Sequence, residues 1–273
     1  TTLSQILSMH PDVCFCQEKE PHYFSKTPDW QKHLEEYKAL YNPSINQICG
    51  EGSTTYTCYP EFNQDIYQGL YNFNSKLKFI YIMRDPVDRI VSHYMHNYLR
   101  GYTKESFEKA VLNQSNYINR TRYFTQIKPY IELFGKEQVL LLTFEEFIAN
   151  KKIILDKVAN FLDIDASKFR DFDNAHANKS VSGSKKNVRI EKLGKNPFFQ
   201  TIKQLFPNNI TTNIGDIIQT FSRIKLDSTP SPSEEIKKVI YDLLILDIRE
   251  IEKLMGREII EWNNIKKAIL YLR

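Results

Sequence analysis

The sequence contains no long apolar segment: its 273 residues include no run of about 18 consecutive apolar residues, the length that a membrane-spanning helix needs. Cysteine is also scarce, and the cysteine spacing matches no zinc-binding pattern, which excludes a zinc-stabilised or disulfide-based small domain. Internal repeats and low-complexity blocks are absent as well. We predict buried free thiols, which favour a reducing compartment, at the four cysteines, Cys14, Cys16, Cys49 and Cys58.

Neither sign of charge dominates, since 37 basic and 33 acidic residues give a formal net charge of +4. This excess is too small to indicate nucleic-acid binding by itself, although it suits an anionic ligand held in a local basic site. The apolar fraction of 41% and the charged fraction of 26% are those of an ordinary globular protein. A chain of this length can bury a core without disulfides or metals.

No signal peptide is visible, and the sequence begins TTLSQILSMHP without a methionine. Because this stretch reads as the middle of an element, we expect that residues upstream of Thr1 were removed, and an anchor or signal there would not be seen. The bias towards Ile, Lys and Asn favours a bacterial cytoplasm.

Short apolar strands alternate with longer helical segments along the chain. KFIYIM (78–83) and QVLLLTF (138–144) are continuous apolar runs, the pattern of strands that are buried on both faces. This alternation predicts a three-layer α/β fold with a parallel sheet, formed as one domain over residues 1–273. Ligands of such sheets bind at the carboxyl ends of the strands.

Helix boundaries carry clear signals. Asp85-Pro86 marks a helix start, and Thr143 with Glu146 has the spacing of a capping box. SPSE (231–234) predicts a second capping box with proline at the first helical position. The helix YFTQIKPYIELFG (123–135) is predicted to be broken or kinked by its proline.

The segment RDPVDRIVSHY (84–94) follows directly on the first apolar strand. Arg84 therefore stands where α/β ligands bind, and the next helix points its free backbone donors the same way. Together with Ser92, these groups could hold a phosphate. The alternative is that Arg84 pairs with Asp85 or Asp88 on the surface and that Ser92 bonds to its own backbone.

A basic polar segment, residues 174–196, lies between the strands and the last helix. It contains a single acidic residue, Glu191. Two interpretations of this segment stay open: it is a solvated loop, or it is a flap that covers an anion. Its basic residues are Lys179, Lys185, Lys186, Arg189, Lys192 and Lys195.

An arginine that ends a strand, with a serine eight residues later in the next helix, resembles the 3′-phosphate-binding element of sulfotransferases that use 3′-phosphoadenosine 5′-phosphosulfate (PAPS). The resemblance extends along most of the chain. KEPHYF (19–24) and GEGSTTY (50–56) resemble segments of the carbohydrate and heparan-sulfate type, and LMGREIIEWN (254–263) resembles their closing motif. It implies a P-loop-NTPase-like central parallel sheet flanked by helices.

The resemblance also implies roles for particular residues in donor binding. Thr1 and Thr2 would hold the 5′-phosphosulfate at the start of the first helix, and Arg84 with Ser92 would hold the 3′-phosphate. Lys185 and Lys186 are candidates to close over the nucleotide. The usual lysine and glycine of the phosphate-binding loop would precede Thr1, so we expect the N-terminal strand and the start of this loop to be missing through truncation.

Glu20 is the candidate general base, and His22 is the alternative base or a residue that orients the acceptor. Because Pro21 prevents a helix, we expect both side chains on one face of an extended segment. No metal is implied, because side chains and helix ends supply the positive charge.

The predicted reaction moves a sulfuryl group from PAPS to a hydroxyl or amine of a carbohydrate or small molecule. One alternative is a P-loop nucleotide or small-molecule kinase, which would require an acidic strand end where Arg84 stands. Another is a binding protein that retains the nucleotide site without catalysis. An upstream membrane anchor would instead place the enzyme in a Golgi-type lumen. The sequence does not predict an oligomeric state.

Overall fold

The computed structural model of the protein describes residues 2–62, 65–170, 184–186, 223–225 and 229–270. Its strands are β1 (Val13–Phe15), β2 (Ile48–Gly50), β3 (Phe79–Met83), β4 (Val139–Thr143), β5 (Ser184–Lys186) and β6 (Arg223–Lys225). The α-helices are α1 (Thr2–Ser8), α2 (Tyr23–Lys26), α3 (Leu34–Lys38), α4 (Ile66–Phe73), α5 (Pro86–Leu99), α6 (Phe107–Asn113), α7 (Asn116–Asn119), α8 (Tyr123–Phe134), α9 (Phe144–Ala149), α10 (Lys151–Leu162), α11 (Glu234–Met255) and α12 (Asn263–Leu270).

Parallel strand pairs form the centre of the α/β fold, as the sequence predicts. Strand β1 pairs with β2, placing Cys14 opposite Cys49, and β3 pairs with β4 along all five residues of each strand. The pair β5 and β6 is antiparallel. Each parallel pair is joined through helices, which cover the faces of the strands and bring their carboxyl ends to one edge.

Strand β3 is less buried than its apolar sequence predicts. Only Met83 at its carboxyl end is fully buried, while the rest of the strand is partly exposed. The difference arises because residues 78–82 line a large cavity that also contacts the segment after β2.

Two apolar clusters pack around the strands. The larger one contains Met83 and Ile90 together with the buried faces of α8 and α11, and Trp262 is fully enclosed in it. The smaller one joins α1 to α10 across β4. The described helices therefore pack from both sides, as expected for three layers.

The start of α5 is fixed by a carboxylate that also caps a second helix. Asp85 Oδ1 accepts the Val87 N–H at 2.9 Å, and its Oδ2 accepts the Asn264 N–H at 2.7 Å and the Ile265 N–H at 3.1 Å. The predicted cap of α5 is confirmed. The same side chain also caps α12, although 180 residues separate Asp85 from Ile265 in the sequence.

Two helix predictions require correction in part: α8 is not broken at Pro129, while a kink there stays a prediction, and α11 begins later than expected. Helix α8 runs without a break through Pro129, because its buried face, which includes Ile127 and Phe134, packs it into the core despite the missing N–H. Helix α11 begins two residues later than predicted: Ser233 is the cap, and its Oγ accepts the Ile236 N–H at 3.3 Å. Pro232 precedes the cap, where the backbone is extended and its fixed φ is tolerated.

Candidate functional site

A polar cleft of about 640 Å³ lies at the carboxyl end of β3, along the first turns of α5. Arg84 and Ser92 both line it, so the structure brings together the two residues that the sequence predicts for phosphate binding. No carboxylate lines the cleft among the residues that the structure describes. Its other lining residues are Arg89, His93, His96, Asn97, Tyr102, Gln114, Asn116 and Arg120.

Arg84 is held at the mouth of the cleft by weak contacts. Its Nη2 lies 3.6 Å from the Asp88 carboxylate, and its guanidinium lies 5.3 Å from the centre of the Phe144 ring. The buried Nε has no hydrogen-bond partner within the described part of the chain. Arg84 therefore combines the ion pair of the alternative interpretation with a donor that is free for a ligand.

Two further arginines in the cleft were not predicted as site residues. Arg89 Nη1 lies 3.2 Å from His93 Nδ1 and 3.3 Å from Thr121 Oγ1, and Arg120 Nε lies 3.2 Å from the Glu61 carboxylate. Arg89 could have been found from its position three residues before Ser92, on the same helix face. Arg120 carried no sequence signal, because it reaches the cleft from the turn after α7.

His93 is a neutral hydrogen-bond partner for Arg89. Burial, followed by the nearby charges of Arg89 and Arg120, lowers the pKa of His93 to about 3. The unprotonated Nδ1 can therefore accept a hydrogen bond from the guanidinium. The ring also packs against Tyr117, with 4.7 Å between the ring centres.

A second cavity, of about 830 Å³, opens between the two parallel strand pairs. Arg84, Arg89 and Arg120 line both this cavity and the polar cleft, so the two spaces meet at these arginines. Glu20 lies on the wall of the second cavity, as do residues 51–58. Two predicted elements, the cationic strand end and the candidate base, thus border one continuous space.

The segment that carries Glu20 and His22 is a tight turn and not an extended strand. Both residues have left-handed backbones, with φ of 55° and 54°, and they flank Pro21. The predicted extended backbone is therefore wrong for this segment. The side chains still meet, because the turn brings His22 Nε2 to 3.5 Å from the Glu20 carboxylate.

Hydroxyl groups from the segment after β2 hold this turn. Thr54 Oγ1 donates to Glu20 Oε2 at 3.0 Å, and Thr55 Oγ1 lies 2.8 Å from His22 Nδ1. Ser53 Oγ accepts the backbone N–H of His22 at 2.9 Å. These three residues were not predicted as site residues. Their consecutive hydroxyls directly after a strand and a glycine turn were the available signal.

The remaining predicted donor-binding residues are only partly described. Thr1 lies outside the described residues. Thr2 begins α1, and its buried Oγ1 has no hydrogen-bond partner among the described residues. Lys185 and Lys186 lie on β5, which contacts α5, the helix that carries Ser92. Most of the basic segment 174–196 lies outside the described residues.

Metal-binding and membrane-spanning features were also sought in the described ranges. No cluster of three or more His, Cys, Asp or Glu side chains in those ranges is arranged to hold a metal ion. Every helix described is too short or too polar to traverse a lipid bilayer. The four cysteines are free thiols. Of these, Cys16 and Cys58 are buried as predicted, whereas Cys14 is partly exposed and Cys49 is exposed.

Comparison with known families identifies this arrangement. The family model described as "Sulfotransferase domain" matches residues 1–213. The chain belongs to the sulfotransferase family. The predicted resemblance is therefore confirmed at the level of the family, and this membership disfavours the kinase alternative.

Characterised sulfotransferases are similar over parts of the chain. The luciferin sulfotransferase of Photinus pyralis is 38% identical over 95 residues, 34% of this chain and 25% of that protein. The heparan sulfate glucosamine 3-O-sulfotransferase 5 of Mus musculus is 25% identical over 238 residues, 75% of this chain and 66% of that protein. Carbohydrate sulfotransferase 15 of Mus musculus is 23% identical, with 80% of this chain and 51% of that protein covered.

The chain thus spans between a quarter and two thirds of the length of these three curated relatives. A crystal structure of a sulfotransferase from Alicyclobacillus acidocaldarius superimposes with a TM-score of 0.66 at 19% identity. The superposition covers 96% of this chain and 92% of that one. It confirms the predicted α/β fold of the P-loop-like sulfotransferase type.

Proposed function

We propose that the protein transfers a sulfuryl group from PAPS to a hydroxyl or amine of a carbohydrate or small-molecule acceptor. The observation that supports this most directly is the cationic cleft that Arg84 and Ser92 line together. The cationic cleft at Arg84 and Ser92 opens into the space bordered by Glu20. A donor anion and an acceptor proton could therefore be handled at adjacent places, as group transfer requires.

The cleft has the chemistry that the donor needs. PAPS, when bound, supplies the sulfuryl group and leaves as the 3′,5′-bisphosphate PAP. Arg84 would bind the 3′-phosphate through its free Nε, with Ser92 as a hydroxyl partner and the start of α5 as the positive end of a helix dipole. Thr2, with its unpartnered Oγ1 at the start of α1, would contact the 5′ side. Lys185 and Lys186 stay candidates to cover the nucleotide.

Glu20 is the proposed general base, and His22 is proposed to orient it. Burial lowers the pKa of His22, which favours the neutral ring near neutral pH. If the Thr55 hydroxyl donates to Nδ1, the ring carries its proton on Nε2 and faces Glu20 with a donor. Glu20 would then remain the acceptor that takes the proton of the attacking hydroxyl or amine.

Several aspects of the function rest on less direct support. The names of two relatives, a heparan sulfate and a carbohydrate sulfotransferase, favour a carbohydrate over other acceptors. A bacterial cytoplasm stays a prediction from composition, and free thiols are compatible with a reducing compartment. The assignment of residues 1–273 to one domain also stays a prediction.

The donor site is tested by replacing Arg84. We expect Arg84→Ala to weaken PAP binding at least about a hundredfold in calorimetry, because a charge-assisted contact to the 3′-phosphate is lost. Arg100→Ala, at the far end of α5 and outside the cleft, is the matched control. Equal PAP affinity in the wild type and Arg84→Ala would contradict the assignment of the 3′-phosphate.

Catalysis is tested separately by replacing the candidate base. We expect Glu20→Gln to lower kcat by about a hundredfold or more while PAP affinity stays within about twofold, because the carboxylate acts on the acceptor proton. Sulfate transfer is measured over a panel of sugars and small hydroxyl compounds. A wild-type protein that binds PAP and transfers sulfate to no acceptor class would favour the non-catalytic alternative.

A further inference from the structure

The turn that carries Glu20 is anchored by a carboxylate that lies outside the proposed reaction. Glu51 follows β2 directly and lies partly buried on the wall of the second cavity. Its Oε2 accepts the Ser53 hydroxyl at 2.9 Å, and Ser53 Oγ accepts the His22 N–H at 2.9 Å. A chain of two hydrogen bonds therefore runs from the Glu51 carboxylate to the backbone between Pro21 and His22.

Glu51 is itself fixed by tyrosine hydroxyls. Tyr56 OH donates to its Oε1 at 2.7 Å and Tyr37 OH donates to the same oxygen at 3.1 Å. Tyr41 OH in turn donates to Tyr37 OH at 2.9 Å, so the hydroxyl protons of this chain all point towards Glu51. Burial raises the pKa of the Glu51 carboxyl, whereas the hydroxyl donors oppose that rise. With both oxygens occupied, this carboxylate is poorly placed to act on substrate.

The turn requires such an anchor because its backbone is unfavourable. Glu20 and His22 are both non-glycine residues with positive φ, and each such residue costs on the order of 1 kcal/mol. A strained turn persists only where its surroundings fix it. Ser53 holds the backbone of the turn, while Thr54 and Thr55 hold its two side chains. The conformation of the candidate base thus depends on the segment after β2.

We propose that Glu51 is a positioning residue: acting through Ser53, it holds the Glu20–His22 turn in the conformation that presents Glu20 to the cavity. This inference rests on the proposed function, in which Glu20 takes the acceptor proton. The negative charge of Glu51 strengthens this chain of two hydrogen bonds, because the Ser53 hydroxyl, by donating to a carboxylate, becomes a better acceptor for the His22 N–H. The geometry also gives a role to a carboxylate that lies among three tyrosines.

Three variants of the full-length protein test this role. Ser53→Ala removes the link, Glu51→Gln neutralises the anchor, and Tyr41→Phe removes a hydroxyl of the same cluster that does not touch Glu51. We expect the first two to lower kcat about tenfold or more, because a misplaced base costs rate, while the KM for PAPS and the affinity for PAP stay within about twofold. Tyr41→Phe should keep kcat within about twofold of the wild type.

A second measurement needs no turnover. The ring nitrogen NMR signals of His22 should report a single tautomer in the wild type and Tyr41→Phe, and should move towards tautomer-averaged values in Ser53→Ala. The proposal requires both the loss of kcat and this change of signal. It is overturned if either is missing, or if Tyr41→Phe shows the same losses. Should Glu51→Gln fail to fold, Glu51→Asp, which keeps the charge but withdraws the carboxylate from Ser53, decides by the same two readouts.

The two proposals can fail separately. If the wild type transfers sulfate to no acceptor, the proposed function fails, and the His22 signals alone show whether Glu51 holds the turn. If the wild type turns over and Ser53→Ala matches it in kcat and in His22 signals at a temperature well below its Tm, the positioning role is excluded while the proposed function stands.

Discussion

At the scale of single residues, the site depends on groups whose state is set by their neighbours. His93 carries no positive charge between two arginines, and Glu20 sits in a left-handed turn that its own side chain does not favour. Arg84, Ser92, Glu20 and His22 could be proposed as site residues because each belongs to a short motif, and their roles stay predictions. The backbone of the turn could not be predicted, since it results from hydrogen bonds to residues more than 30 positions away.

His93 gives a pH dependence with a defined sign. Its pKa in the folded protein, about 3, lies below the usual histidine pKa of 6.5, so the unfolded chain binds more protons between these values. The free energy of unfolding should therefore fall as the pH is lowered from 7 towards 4. We expect His93→Gln to reduce this fall in urea unfolding at pH 7 and pH 4.5.

The exposed His33 supplies the control for that experiment. Because its ring lies at the surface beside Glu36, His33→Gln should follow the wild type at both pH values. Acidic side chains elsewhere in the protein also make the free energy of unfolding depend on pH in this range. The comparison therefore uses the difference in the free energy of unfolding between each variant and the wild type. Parallel curves for His93→Gln and the wild type would contradict the buried neutral state of His93.

At the scale of elements, capping groups fix where the helices begin. The sequence predicts the caps that lie next to their own helix, as at Asp85 and Thr143, because the signal is local. Caps supplied from elsewhere could not be predicted. Asp247, in the middle of α11, accepts the Phe124 N–H at 2.8 Å and the Thr125 N–H at 3.0 Å, and so caps α8.

Asp247 should accordingly matter for stability. It is buried, and its removal would leave two backbone donors of α8 without partners in the core. We expect Asp247→Ala to lower the free energy of unfolding by about 2 to 4 kcal/mol in urea titrations. Asp242→Ala, at an exposed position of the same helix, should change it by less than about 0.5 kcal/mol. Similar losses in both variants would argue against the capping role.

At the scale of the whole molecule, the residues that line the two cavities come from distant parts of the chain. Strand β3 and helix α5 supply Arg84 and Ser92, the turn after α7 supplies Arg120, and the segment after β1 supplies Glu20. The α/β class and the edge that carries the site follow from strand and helix order. The convergence of Arg84, Arg89 and Arg120 on one cleft could not be predicted, because it depends on how α7 packs against α5.

Ligand binding should stabilise the whole fold by an amount set by the ligand concentration relative to its Kd. At about a hundredfold excess over its Kd, PAP should raise the Tm by roughly 5 to 10 °C, since this gives about 2.7 kcal/mol of stabilisation. AMP, which lacks the 3′-phosphate, should raise the Tm less at the same concentration in a thermal melt. The difference between the two nucleotides should vanish in Arg84→Ala. Equal shifts by PAP and AMP in the wild type would contradict a 3′-phosphate site.

Because Asp85 caps both helices, the first turn of α5 and the first turn of α12 are held together by one side chain. One carboxylate oxygen accepts hydrogen bonds from each helix. A displacement of α12 would therefore also displace Asp85, the residue next to Arg84. A deletion that begins after Trp262 would remove the two backbone N–H groups that donate to Asp85 Oδ2. This buried oxygen would then have no hydrogen-bond donor from α12. Nucleotide affinity would then decline in a shortened protein that retains every side chain of the polar cleft.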